Sequence, residues 1–226
     1  MAIPTNFKSE VAITHITTAT AIVDIDGVKF ITDPIFDDAP QSHDRSQAIG
    51  LKPGEFFLTM QEGPAISIRQ LLIIDCVLLS HEDHVDNLDE TGRQLLIGRR
   101  VITSPDGAKN LSEYPGTCAI APWQTLKFRL GGEEWSITGV PCVHVPGGEA
   151  MLPSPKSPSG FVQITMGGED AVKMMELFEA DMLVPMHFES WSHFTQGGKD
   201  LKDIFGSGGL GNKPKWLSSG KQVRII

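Results

Sequence analysis

The feature that most constrains this chain is an apolar run that leads straight into a cluster of histidines and carboxylates. Residues 71–79, Leu-Leu-Ile-Ile-Asp-Cys-Val-Leu-Leu, read as a buried strand. Ser80-His81-Glu82-Asp83-His84-Val85-Asp86-Asn87-Leu88 follows without a break. Residues 88–97 then read as a short helix, with Asp86, Asp89 and Glu90 near its positive end. Imidazoles and carboxylates gathered at a strand-to-helix turn suit a divalent metal such as zinc. The plainer alternative is an acidic helix start carrying two solvated histidines.

The pattern recurs. Leu79-Ser80-His81, Val143-His144 and Pro185-Met186-His187 each place histidine at the end of an apolar run. Strand ends converge at one edge of a sheet, where sites in sheet-based folds gather. With His84 and Asp86, these histidines could surround one or two metals.

Residues 11–32, rich in Val, Ile and Thr with Asp26-Gly27 in the middle, predict a β-hairpin with a tight turn. It ends at Thr32-Asp33-Pro34, which makes Asp33 either a turn-forming residue or a site residue. Residues 34–64 lack periodicity and read as a long functional loop, the segment expected to select substrate. Arg100–Thr103 predicts a short strand, and Ser104-Pro105 starts a brief helix reaching about Leu111. Residues 124–130 and 133–140 form a second hairpin across Gly131-Gly132. Residues 161–165 and 181–185 read as strands and residues 199–205 as a helix. Residues 169–179 predict an amphipathic helix with Val172, Met175, Leu177 and Phe178 on its apolar side. Gly206-Ser207-Gly208-Gly209-Leu210-Gly211 matches a dinucleotide-binding pattern, but it follows a helix and is read as a turn. No linker or repeat divides the 226 residues, so a single domain over residues 1–226 is expected.

Composition narrows the partners. Nineteen basic against 28 acidic residues give a net charge of −9, which disfavours nucleic acid and anionic membrane surfaces. Cys76, Cys118 and Cys142 form no Cys-x-x-Cys pair and fit a reducing compartment. The N-terminus lacks the pattern of a signal peptide, and no apolar run is long enough for a membrane span. The expectation is a cytoplasmic protein acting on a small molecule, with a homo-oligomer left open.

These motifs, in this order, resemble the metallo-β-lactamase superfamily of hydrolases. The branch they are most similar to holds the ascorbate-6-phosphate lactonase-like enzymes and the N-acylphosphatidylethanolamine phospholipases D. The resemblance begins at Thr14-His15-Ile16-Thr17-Thr18-Ala19-Thr20, continues through Phe30-Ile31-Thr32-Asp33-Pro34 and is strongest over residues 78–89. It returns at His144 and at Val184-Pro185-Met186-His187-Phe188. It implies an α/β (α+β) fold, a four-layer αββα sandwich. It also implies hydrolysis of a small ester, lactone or phosphoester through a metal-bound hydroxide, with one or two Zn²⁺ or else Mn²⁺.

The ligands implied are His81, His84, Asp86, His144 and His187, with Asp86 and His187 orienting the attacking water. Asp33 and His15 would support them, and Trp191 and His193 are pocket candidates. The family motif His-x-His-x-Asp-His is not reproduced to the letter. Anchored on Ser80-His81 and Leu88-Asp89, it matches His81, His84 and Asp86 and puts Asn87 in the last histidine's place. An ungapped register would use His81, Asp83 and Asp86 instead. The Gly-Asp strand that bridges two metals has no counterpart between His144 and His187, where Gly160-Phe161-Val162 passes almost directly into Gln163-Ile164-Thr165-Met166 and the 169–179 helix. Two strands and a helix would need roughly 20 residues there. The resemblance therefore implies a shortened second half, and its alternative is a weakly active or inactive relative binding one metal or a ligand.

Overall fold

The computed structural model describes residues 9–47, 51–142, 152–153, 161–162 and 166–226. In chain order the strands and helices begin with β1 (Val11–Thr17), β2 (Thr20–Ile25), β3 (Val28–Thr32), β4 (Gln41–Asp44), β5 (Phe57–Met60) and β6 (Cys76–Leu78). Then come α1 (Glu90–Arg93), β7 (Arg100–Thr103), α2 (Pro105–Asn110), β8 (Thr117–Ala119), β9 (Thr125–Leu130) and β10 (Glu133–Thr138). The chain closes with β11 (Leu152–Pro153), β12 (Phe161–Val162), α3 (Gly168–Leu177), α4 (Gly198–Ser207) and β13 (Gln222–Arg224). The fold is mixed α/β with few helices, and no described helix is long and apolar enough to cross a membrane. The residues group into two compact units.

The first unit comprises Ser9–Ala39, Gly63–Cys142 and Ser218–Ile226. It is built on a seven-stranded sheet in the order β13-β1-β2-β3-β6-β7-β8. The pairs from β13 to β3 are antiparallel, and those from β3 through β6 and β7 to β8 are parallel. Register puts Ile31, Val77 and Val101 side by side, all fully buried, within a cluster completed by Leu88, Leu95, Leu96 and Leu111. On the opposite face Phe30 and Cys76 pack under the β9–β10 hairpin, whose Trp135 ring stands edge-on to Phe30 at 4.9 Å. Parallel strands covered on both faces need continuous apolar sequence, and that is why the run into β6 is so legible.

The turn at Asp26-Gly27 is as expected: both residues have positive φ (52° and 89°), the form that matches strand twist. The expected hairpin is instead a three-stranded meander, because the chain also reverses at Thr18-Ala19. Thr18 has φ 42°, a conformation a β-branched residue rarely adopts, so composition gave no sign of it. The 71–79 strand is shorter than expected. Regular pairing with β3 starts at Phe30↔Cys76; just before it the Asp75 amide donates to the Lys29 carbonyl at 2.9 Å and the Asp75 carboxylate accepts from the Lys29 amide at 2.8 Å. Leu72 and Ile73 are therefore 70% and 81% exposed. The second hairpin turns at Gly131 (φ 58°) and Gly132 (φ 88°), and Ser104 caps α2 by accepting from the Gly107 amide at 3.1 Å, both as expected. Strands β8 and β13 carry no clear period and were not expected.

The second unit holds the described residues of Pro40–Glu62 and Val143–Leu217. Its core is Met175, Leu201, Phe205 and Leu210, where α3 and α4 pack. Residues 34–64 are not all loop, since β4 and β5 pair there from Gln41↔Met60 to Asp44↔Phe57. Gln41-Ser42-His43-Asp44 has no apolar position by which to recognise a strand. On α3, Met175 is buried but Leu177 is 80% exposed, because two residues along a helix are about 200° apart. Phe178, the residue that caps the helix, is also exposed. Residues 181–185 form no strand; a bridge between Leu183 and Pro214 stands in their place. Of the strand expected at 161–165, Phe161 and Val162 pair with β11, and residues 163–165 lie outside the described residues. Gly209 and Gly211, at φ 74° and 56°, make the glycine run a turn after α4.

Candidate metal centre

Strands β3 and β6 end side by side, and the residues just beyond the two strands hold one another. The Asp33 amide donates to the Leu78 carbonyl at 3.0 Å, and the backbone at Asp33 turns left-handed (φ 33°). The 9%-exposed Asp33 carboxylate accepts from the Ser80 amide at 2.7 Å, the Ser80 hydroxyl at 2.9 Å and the Asn87 side-chain amide at 3.1 Å. Asp33 thus fixes both ends of the Ser80–Asn87 turn. Glu82 fastens the middle: its carboxylate accepts from Asn110 at 2.6 Å and its carbonyl from Arg93 at 3.2 Å. Glu82 was not expected to matter. A charged residue beside two histidines reads as solvated until the fold buries it.

These bonds favour one tautomer. A Ser80 hydroxyl that gives its one proton to Asp33 accepts from His81 Nδ1–H at 2.8 Å. His81 then carries its proton on Nδ1 and a lone pair on Nε2. Nε2 lies 3.0 Å from Nδ1 of His84; with this tautomer His84 Nδ1 is the donor, and it would give up that proton to bind a metal. Two Zn–N bonds of about 2.0–2.1 Å at a tetrahedral angle would set their nitrogens about 3.3 Å apart. The observed spacing is close to that, and a ligand histidine whose other nitrogen donates to an oriented oxygen is the usual support. One donor atom each from His81, Asp83 and His84 falls within 4.8 Å of the others. His84 is buried, His81 half-buried and Asp83 exposed. The donor set fits a divalent ion.

This geometry brings together only part of the expected ligand set. Asp83 joins the two histidines, while Asp86, 6% exposed, is not in the group. The Asn87 side-chain nitrogen donates to Asp33 and, at 3.2 Å, to Ser80. His15 engages Ser219 at 3.0 Å and the Thr18 carbonyl at 3.1 Å, tying β1 to the 218–220 segment and not to a ligand. His144 lies outside the described residues. His187, Trp191 and His193 belong to the second unit. There His187 has φ 63°, and its ring stands edge-on to Phe194 at 5.2 Å, with His193 on the same phenyl ring at 4.3 Å.

Beneath the turn, Asp89 caps α1. Its carboxylate accepts from the Phe36, Asp37 and Gly92 amides, each at 2.6 Å. Burial pushes its pKa up from 3.8 to about 6, against those bonds and with help from the Asp37 charge. The folded chain therefore holds a proton here that the unfolded chain releases. This contribution to stability is full below pH 3.8 and is lost as pH rises through about 6. A carbon-detected titration of the Asp89 carboxyl should give a midpoint near 6, and a midpoint below 3.8 would contradict this balance.

Cys76 is fully buried, and burial pushes its pKa up to about 12. Cys142 is exposed. A thiol reagent should label Cys142 promptly in the native protein and Cys76 only after unfolding. Fast labelling of Cys76 would mean that the β6 core opens.

No protein-family model matches the chain, and no curated protein does. Solved structures do. A "possible metal-dependent hydrolase" from Veillonella parvula DSM 2008 is 15% identical, with TM-score 0.67 over 96% of this chain and 100% of that one. The isothiocyanate hydrolase from Delia radicum gut bacteria is 16% identical, with TM-score 0.65 over 95% and 99%. Igni18, a metallo hydrolase from the hyperthermophilic archaeon Ignicoccus hospitalis KIN4/I, is 16% identical, with TM-score 0.65 over 96% and 99%. At such identity the likeness concerns architecture: this chain has the fold of metallo-hydrolases.

Proposed function

We propose that this chain is a metal-dependent hydrolase of the metallo-β-lactamase type, one domain over residues 1–226, cleaving a small ester, lactone or phosphoester. The observation that carries this reading is the ordered series Asp33–Ser80–His81–His84, which presents two imidazole nitrogens 3.0 Å apart beside Asp83. When bound there, Zn²⁺ or Mn²⁺ would supply a Lewis acid and lower the pKa of a water toward about 7. Asp33 holds Ser80, Ser80 holds the His81 tautomer, and Glu82 holds the turn against α1 and α2. Asp86, His144 and His187 complete the set by resemblance to the lactonase-like branch, with Asp86 and His187 as candidates to orient the water.

Asn87 supports a single-ion version of this reading. It bonds Asp33 and Ser80, the place where a second ion's histidine would otherwise stand. A weakly active protein that binds one metal is the second reading. The test is hydrolysis of a nitrophenyl ester, a lactone and a bis-nitrophenyl phosphate before and after chelation. Activity on one of them should vanish with chelator, return with Zn²⁺ or Mn²⁺ and fall on the order of 100-fold or more in His84→Ala. Turnover indifferent to both treatments would overturn the proposal. A metal-binding chain with no turnover would leave the second reading.

A further inference from the structure

A cavity of about 360 Å³ lies within the second unit. Its apolar wall is three rings, Phe188, Trp191 and Phe194. Trp191 is 4% exposed and is held by a bridge to Met60 on β5, and the Gln61 amide donates to the Ser190 carbonyl at 2.7 Å beside it. Phe188 is set edge-on to Trp216 at 5.8 Å, so that ring too is braced from behind. The charged groups that line the cavity are Glu62 and Glu189, both exposed to solvent at its rim; neither Lys nor Arg lines it among the described residues. Glu189 has a fixed position, since one carboxylate oxygen accepts from the Gly198 amide at 3.1 Å at the start of α4.

The two carboxylates attract a cation and repel an anion, and the three rings offer apolar contact to the rest of a ligand. The volume matches a small ligand rather than a bare ion. We infer that this cavity binds a small organic cation: an ammonium group between Glu62 and Glu189, with an apolar body against Phe188, Trp191 and Phe194. This goes beyond the hydrolase proposal and uses residues of the second unit alone.

The probe set is benzylammonium, benzyl alcohol and benzoate, which share a ring and differ in charge, titrated into the full-length protein by ligand-detected NMR. Benzylammonium should bind with a Kd below about 1 mM, the range open to a ligand of this size. The alcohol should bind about tenfold more weakly and benzoate not measurably. A Glu62→Gln, Glu189→Gln double variant keeps the shape and the acceptor for Gly198, and should lose about tenfold in benzylammonium affinity with its unfolding midpoint unchanged. Should that variant fold poorly, raising the salt on the unsubstituted protein is the second measurement. Affinity for benzylammonium should then fall while that for the alcohol holds. Equal binding of ammonium and alcohol, binding unaffected by both substitution and salt, or no binding of benzylammonium would each overturn the inference.

Discussion

Gly92→Ala is expected to be among the most damaging single substitutions in the first unit. A Cβ there would lie 1.9 Å from the Pro34 carbonyl oxygen, 2.8 Å from its carbon and 2.9 Å from an Asp89 oxygen. The obstacle is backbone, which cannot rotate aside, so α1 or the segment after β3 must move. Either movement disturbs the three amide bonds to Asp89 and the attachment of Asp33, the residue before Pro34. Overpacking against fixed atoms costs about 1–3 kcal/mol, and loss of buried hydrogen bonds adds about 1–3 kcal/mol more. Urea unfolding should show a drop of about 3 kcal/mol or more. A change under about 0.5 kcal/mol, the range of an ordinary surface substitution, would mean that this packing is wrongly described.

Asp33→Ala should cost both stability and metal. It leaves the Ser80 amide, the Ser80 hydroxyl and the Asn87 amide without their shared acceptor in a buried place. That amounts to about 2–4 kcal/mol. The hydroxyl proton, no longer directed at Asp33, can turn to His81 Nδ1 and drive the ring proton onto Nε2. The nitrogen needed as a ligand would then be blocked. Metal affinity should fall about 10- to 100-fold, as for other supporting partners of ligand histidines. Competition with a zinc-sensitive dye reads the affinity, and urea unfolding reads the stability. Loss of stability with unchanged affinity would separate Asp33 from the metal centre and leave it a structural turn residue.

Both predictions concern contacts between residues 33–37 and residues 80–92, which sequence alone could suggest but not measure. The buried β6 run, the Asp26-Gly27 and Gly131-Gly132 turns, the Ser104-Pro105 cap and the 199–205 helix were legible because each rests on local chemistry. The Thr18 reversal was not, because its left-handed residue is imposed by the neighbouring strands. Nor was β4, since a polar strand at the surface has no period to read. At the site, the pairing of His81 with His84 was legible from spacing. The choice between His84 and Asp83 was not: both come within reach of His81, and that depends on how the turn is pinned by Asp33, Asn87 and Glu82, each meeting a partner far along the chain. Resemblance to a motif aligned Asn87 with a ligand, whereas its amide is engaged with Asp33 and Ser80. Leu177 misled for a simpler reason, being apolar but two positions from the buried Met175.

The central claim is that His81 and His84 hold a metal ion, and the most direct test is to count it. The protein, purified without a histidine tag, would be analysed for bound metal per chain beside His84→Ala and His187→Ala. The account predicts one or two equivalents of Zn²⁺ or Mn²⁺ in the unsubstituted chain, and their loss in His84→Ala with the fold retained. Loss of only part of the metal in His187→Ala would assign that histidine to a second ion, whereas an unchanged content would mean a single-ion centre. A folded chain that holds no metal, even after exposure to excess zinc, would contradict the account.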